Sequence, residues 1–348
     1  MTQKKSKIFI RADGSKTIGM GHLYRQITLA LYLKSRYEIS FIIRGNNAVR
    51  SLLKKYPFKV YEIPSGLSKA LEMQVVIKLL KIHTPDVVLV DMVRLVADKS
   101  YMTIMRSGGS KTLAFTDAPT KQIIEADCVI SSDLSQKEDY YRAIHKTKYF
   151  LGLDYTLVDE RYSKLKIRKT SNADIKTLLI CMGGADNHNL TYKVLKAIDI
   201  NPHDFRCDVI LNSSFFDPDQ VKQFIGALKR EVRVYYDVDG VYAFLKRADL
   251  AITSGGLIHL ERLCAGVPGI AINQILRQEH LSRDLAERNG TLNLGLYHSV
   301  SAGNINKALN ALIENKDLRK RIRSNGLKIM DGRGLSRVAE IISMMITG

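Results

Sequence analysis

Short apolar runs without alternation are the feature that most restricts how this chain can fold. In the first half, "KIFIRA", "EISFIIR", "KVYEI", "DVVLVD", "KTLAFTD" and "DCVISS" read as strands. In the second half, "TLLICMG", "CDVIL", "VRVYY", "LAITS", "GIAI" and "LNLG" repeat the theme. A strand with one wet face alternates apolar and polar residues. A run that is apolar throughout needs protein on both sides, as in a parallel sheet covered by helices. Helical spacing fills the intervals: Leu23, Ile27, Ala30, Leu31 and Lys34, four of them apolar, then Leu190–Ile198 and Leu281–Asn289. Strand, helix and strand in this rhythm predict βαβ units and an α/β fold.

The 348 residues exceed what one core comfortably holds. The polar stretch 160–176, "ERYSKLKIRKTSNADIK", divides the chain into expected domains 1–160 and 161–348. Ile305–Ile346 reads as two or three helices of the second domain. Two doubly wound, Rossmann-like domains facing a central cleft are expected, with ligands beyond the C-terminal ends of the strands.

Other functions are disfavoured by composition. The net charge of +18 attracts anions such as nucleotides or phosphorylated sugars. The basic stretch Arg319–Arg337 fits a solvated helix face, or a patch for peripheral membrane contact. No basic–aromatic interleaving of the nucleic-acid kind occurs, so no specific nucleic acid is expected. No run approaches the ~18 apolar residues of a membrane span, and "MTQKKSKIFIRADG" lacks the apolar core of a signal peptide. The four cysteines stand far apart, and the histidines show no metal spacing. Reduced thiols, a cytoplasmic location, no metal and no cofactor are the expectation.

Three strand ends run through glycines into helices: "FIRADGSKTIGMGH", "LLICMGGADNHNLTYKVLKAI" and "LAITSGGLIHLERLCAGVPGIAI". Glycine permits close backbone approach, and the helix start offers unpaired N–H groups to a phosphate. None is a P-loop or the dinucleotide G-x-G-x-x-G. Gly183 and Gly184 mark the second loop. In the third, the amides of Ser254, Gly255 and Gly256 can face a diphosphate or the glycines can simply tighten the turn; Leu257 opens the helix, and Glu261 about one turn later, a solvated helix residue when taken alone, is expected in this context to accept both ribose hydroxyls.

His22 falls in the first turn of its helix, where the positive dipole end favours the neutral imidazole that a general base needs. It reads equally well as a turn residue. Asp13, Asp91 and Asp117 end strands, and each fits a capping role as well as a chemical one.

"IRADGSKTIGMGHLYR" resembles the opening of the nucleotide-sugar hydrolase family of pseudaminic acid biosynthesis. The resemblance continues through "GLDYTLVDERY", "ICMGGADNHNLT", "TSGGLIHLERLCAGVP" and "DGRGLSRV". It implies a GT-B-type fold, also used by MurG-like glycosyltransferases, with UDP mostly on the C-terminal domain. It implies that His22 activates water at the anomeric carbon of a UDP-2,4-diacetamido-trideoxyhexose. Arg11, Asp13, Gly19, Gly21, Asp91, Arg277 and Gln278 would then line the sugar and acceptor side. Two positions depart from the family pattern. Asp91-Met92-Val93 replaces Asp-His-Tyr, and Arg277-Gln278 replaces Asn-Gln. Valine cannot hydrogen-bond and arginine only donates, so an acceptor other than water is the alternative, as in an inverting glycosyltransferase. A non-catalytic anion binder is motivated by the charge alone.

Overall fold

The structure, a computed structural model, describes residues 5–15, 19–116, 124–132, 147–167, 174–212 and 217–348. It divides into two compact units: Met1–Leu157 with Arg333–Gly348, and Val158–Gly332. Asp117 lies outside the described residues.

The first unit holds β1 (Lys7–Ala12), β2 (Glu38–Arg44), β3 (Lys59–Ile63), β4 (Val87–Asp91), β5 (Lys111–Thr116), β6 (Cys128–Ser131) and β7 (Lys148–Leu151). All neighbours are parallel, in the order β3-β2-β1-β4-β5-β6-β7. Its helices are α1 (Gly21–Leu33), α2 (Asn47–Leu53), α3 (Lys69–His83), α4 (Val93–Val96) and α5 (Lys99–Ile104). The continuous apolar runs have the expected cause. Ile8, Ile10 and Ala12 of β1 pack with Leu23, Ile27 and Ala30 of α1. Phe9, between them, packs on the other face with Val76 and Leu80 of α3 and Tyr101 of α5. The short edge strand β7, "KYFL", was not among the expected strands.

The second unit holds β8 (Thr177–Cys181), β9 (Arg206–Leu211), β10 (Val232–Tyr236), β11 (Leu250–Thr253), β12 (Gly269–Asn273) and β13 (Leu292–Leu296). The order is β10-β9-β8-β11-β12-β13, again all parallel. Its helices are α6 (Leu190–Asp199), α7 (Pro218–Gly226), α8 (Tyr242–Arg247), α9 (Leu257–Cys264), α10 (Leu276–Glu287), α11 (Ala302–Glu314) and α12 (Lys316–Ile329). Ile180, Val209, Ile252 and Ile270 meet Val194 of α6 and Ile305 and Leu309 of α11 in its core. α10 begins five residues before the expected Leu281.

The last helix, α13 (Gly334–Thr347), corrects the expected extent of the second domain, 161–348. Its apolar face of Leu335, Val338, Ala339, Ile341, Ile342 and Met345 completes the core around β1 and α1. An apolar helix face fits either core, so periodicity alone could not assign it. The basic stretch is partly structural too. Arg319 is buried and donates to the Leu312 and Ile313 carbonyls at 2.7 and 2.6 Å. Arg323 donates to the Gly266 carbonyl at 2.8 Å. Among the described residues, no helix is long and apolar enough to cross a membrane.

Each sheet reverses its winding once, between β1 and β4 in the first unit and between β8 and β11 in the second. Loops leaving two such strands diverge to opposite faces and open a crevice at their carboxyl ends. The loop after β1 leads into α1 with His22, and Asp91 is the last residue of β4. The loops after β8 and β11 carry Gly183–Gly184 and Ser254–Gly256.

Candidate active site

In the first unit the switch point gathers four polar side chains. Asp91 ends β4 and is fully buried, while His22 and Arg25 of α1 are 14% and 13% exposed. His22 Nδ1 lies 2.8 Å from Asp91 Oδ1. Arg25 Nε donates to Oδ2 at 2.6 Å, and its Nη2 pairs with Oδ1. Gln26 Nε2 donates to Oδ2 at 2.8 Å. Burial alone would raise the Asp91 carboxyl, but the Arg25 guanidinium and His22 outweigh it and hold it well below the usual carboxylate range. An ionised carboxylate only accepts, so Nδ1 carries the hydrogen of the His22–Asp91 bond. Arg25 Nη2 also lies 3.1 Å from Nδ1. Base–carboxylate pairs use a contact of the same kind as His22–Asp91 to orient the imidazole. Residues 22, 25 and 26 share one helix face by their i, i+3, i+4 spacing, a signal that could have added Arg25 and Gln26 to the expected set.

Beneath this loop lies a second polar cluster that fixes its course. Arg11 is buried; it donates to both Asp13 oxygens at 2.5 and 2.9 Å, to Glu72 at 3.0 Å and to the Tyr101 hydroxyl at 3.1 Å. Asp13 also accepts from the Arg44 amide at 2.6 Å, which ties the end of β1 to the end of β2. Arg11 and Asp13 therefore brace the loop from inside. Ser15 and Gly19 close the loop with reciprocal backbone bonds of 3.2 and 2.8 Å, and Gly19 takes φ +77°, where glycine is favoured. Gly21 opens α1, whose N-cap residue Met20 offers no side-chain cap. The side chain of Val93 lies outside what the structure describes.

The second unit brings its glycine loops against one another. A Cβ on Gly183 would lie 3.2 Å from Ser254 Oγ. A Cβ on Gly255 would lie 2.1 Å from Asn273 Oδ1 and 2.7 Å from Ser282 Oγ, so only glycine fits. Gln278 of α10 reaches this loop, 3.4 Å from the position of a Cβ on Gly256, and its Oε1 accepts from the Gln274 amide at 2.9 Å. Arg277 precedes it in the first turn of α10. Gln274 staples the loops: its Nε2 donates to the Met182 and Ala185 carbonyls at 2.9 and 2.7 Å, on either side of Gly183–Gly184. Sequence reasoning missed Gln274 because one polar residue at a strand end carries no pattern.

The helix starts differ in what they offer an anion. α6 is already met by Asp186, which accepts from the Leu190 and Thr191 amides at 2.8 and 2.7 Å. α9 begins at Leu257 behind Gly256, with no side-chain cap and no acid in its first turn. Its amides and positive dipole end make it the better phosphate position. Glu261 follows one turn on; Tyr162 Oη donates to its Oε1 at 3.4 Å. Burial pushes its carboxyl up to about 8, against the Tyr162 bond and with help from Asp159. Among the described residues, no group of three or more His, Cys, Asp or Glu is placed to hold a metal. All four cysteines are buried, and none is in a disulfide.

No protein-family model matches the chain. Among solved structures, MurG of Acinetobacter baumannii superposes with a TM-score of 0.68 at 14% identity, covering 97% of this chain and 99% of that one. Anabaena HepE in complex with UDP-glucose gives a TM-score of 0.62 at 14% identity, covering 97% and 99%. Two doubly wound parallel units of this kind define a GT-B-type α/β protein. The spore coat polysaccharide biosynthesis protein SpsG of Bacillus subtilis is 25% identical over 96% of both chains. The UDP-2,4-diacetamido-2,4,6-trideoxy-β-L-altropyranose hydrolase of Campylobacter jejuni is 24% identical over 81% of this chain and 97% of its own. The uncharacterized protein MJ1062 of Methanocaldococcus jannaschii is 29% identical over 80% of this chain, which spans only 57% of MJ1062. The chain is thus similar to SpsG and to a UDP-diacetamido-trideoxy-altropyranose hydrolase along most of its length.

Proposed function

We propose that the protein is a cytoplasmic nucleotide-sugar hydrolase of nonulosonic acid biosynthesis, with a UDP-2,4-diacetamido-trideoxyhexose as substrate. The observation that carries this reading is the His22–Asp91 pair at a sheet switch point, in which the carboxylate orients the imidazole. Water attacks the anomeric carbon as His22 Nε2 removes its proton. The anomeric C–O bond breaks, and its electron pair leaves with UDP. The new C–O bond forms on the opposite face, so the configuration inverts. Amides of Ser254, Gly255 and Gly256 and the start of α9 at Leu257 meet the charge growing on the leaving diphosphate. Glu261 accepts from the ribose hydroxyls, and Gly183–Gly184 border the same loop. Arg277 and Gln278 are assigned to the sugar side. The likeness to a hydrolase that acts on this class of sugar supports the substrate.

A second reading, an inverting glycosyltransferase, is favoured by Met92-Val93 and Arg277 at positions where the family pattern has hydrogen-bonding partners for water. An acceptor-free assay separates the two. UDP- and CDP-sugars, including diacetamido-trideoxyhexoses, are incubated with the protein, and diphosphate release and anomeric configuration are followed by NMR. Release that His22→Ala lowers at least ~10²-fold supports the hydrolase. Binding without release supports transfer to an alcohol, and a near-normal rate in His22→Ala removes His22 as the base.

A further inference from the structure

We propose that Tyr162 is a positioning residue for nucleotide binding, its buried hydroxyl holding the Glu261 carboxylate in place for the ribose. The inference rests on the reading of Glu261 as the ribose acceptor and adds a residue that the sequence does not single out.

Tyr162 is 3% exposed, although it lies in a strongly charged stretch just after the junction between the units. Its ring packs on Tyr242 of α8 at 5.9 Å and 46°. The Arg161 guanidinium covers the Tyr242 ring at 4.9 Å and is itself anchored to Asp159, with Nε to Oδ2 at 2.8 Å. The following residue is equally confined: a Cβ on Gly332 would lie 2.7 Å from Ser163 Cβ and 2.8 Å from Cys264 Sγ at the end of α9. The Tyr162 hydroxyl is thus delivered to Glu261 Oε1 by packing on both sides. With one oxygen so engaged, the carboxylate keeps acceptor capacity for two vicinal hydroxyls.

Among the described residues, few titratable groups face Glu261. Tyr162 and Asp159 come from the entry segment, and the Cys181 thiol comes from the end of β8. Burial pushes Cys181 up to about 12 and raises the Tyr162 hydroxyl further, so both stay protonated. Arg262, next in α9, is turned away to the Val267 carbonyl and Thr291 hydroxyl, each at 2.8 Å. Tyr162 is therefore the group that favours the anion, against burial and Asp159. With the Glu261 carboxyl near 8, about a tenth of it is ionised at pH 7, and apparent affinity falls by that fraction when the anion is the binding form.

The test is calorimetric titration of UDP into the full chain, its Tyr162→Phe and Glu261→Gln variants, and a chain carrying 3-fluorotyrosine at 162, from pH 6.5 to 9. Ratios of Kd between variant and parent at each pH cancel the ionisations of the ligand. Tyr162→Phe is expected to weaken UDP about 3- to 10-fold at pH 7, with the ratio falling toward one by pH 9. The fluorinated ring, a stronger donor of nearly the same shape, moves the ratio the other way and keeps the test open where the phenylalanine variant does not fold. A ratio near one at pH 7, or one that is flat with pH, overturns the role of Tyr162 when Glu261→Gln still weakens UDP. Parent-like binding by Glu261→Gln overturns the ribose reading itself.

Discussion

Replacing Asp91 by Asn tests the site most directly, because it removes one charge and keeps the shape. In the parent, three side chains donate to this carboxylate: His22, Arg25 and Gln26. An amide can donate to Nδ1, which moves the ring hydrogen to Nε2 and removes the lone pair from the reacting side. The same substitution in a serine-protease triad lowers kcat by about 10⁴, and a drop of about 10³- to 10⁴-fold is expected here. The stability effect runs in parallel. Arg25 is 13% exposed and would lose its anion; breaking a buried pair in this way costs about 3–5 kcal/mol. The assay is therefore single-turnover release of UDP at a temperature where melting curves report both proteins folded. The double variant Asp91→Asn/His22→Ala should be no slower than His22→Ala, since the carboxylate acts only through the ring. A folded Asp91→Asn protein with near-parent kcat, or losses that multiply in the double variant, would refute the reasoning.

Acid sensitivity follows from the same group. A carboxyl depressed in the folded state stabilises fully above its unfolded value near ~4 and loses that stabilisation as pH falls below it; parent melting temperatures should drop more steeply there than those of Asp91→Asn. Glu261 has the opposite sign: a raised carboxyl makes stability decline as pH rises from ~4 toward 8, so Glu261→Gln should melt higher than the parent at pH 8 without nucleotide. Gly255→Ala puts a methyl 2.1 Å from Asn273 Oδ1; UDP affinity should fall at least ~10-fold if the loop shifts off the diphosphate, a loss of about 1.4 kcal/mol, and unchanged titration would show the loop plays no part. Removing residues 333–348 strips six buried apolar side chains of α13 from the first core, at about 1.5–3 kcal/mol each. That exceeds the stability of an ordinary domain, so proteolysis should degrade the first unit; a protease-resistant truncation would contradict the packing.

Sequence alone determined the layers. Runs such as "DVVLVD" and "TLLICMG" are apolar at every step, and only a strand with helices on both faces tolerates that. The helix Leu257–Cys264 was legible to the residue, because Gly255–Gly256 and Gly266 punctuate it. His22, Asp91, Gly255 and Glu261 were each visible as residues of a suitable type, at a strand end or in the helix that follows one. Tertiary structure decided which residues lie side by side within each unit. The strand orders place the loop after β1 beside the loop after β4, 69 residues apart in sequence at His22 and Asp91, and no local pattern encodes a distance of that length. Folding also turned Arg11 and Asp13 into the protein, where Arg11 pairs with Asp13 and meets Glu72 and Tyr101, although both sit in the same motif as His22. It returned α13 to the first core and brought Tyr162 to Glu261. Periodicity fixes which face of an element is buried; which neighbour buries it depends on contacts between residues far apart along the chain.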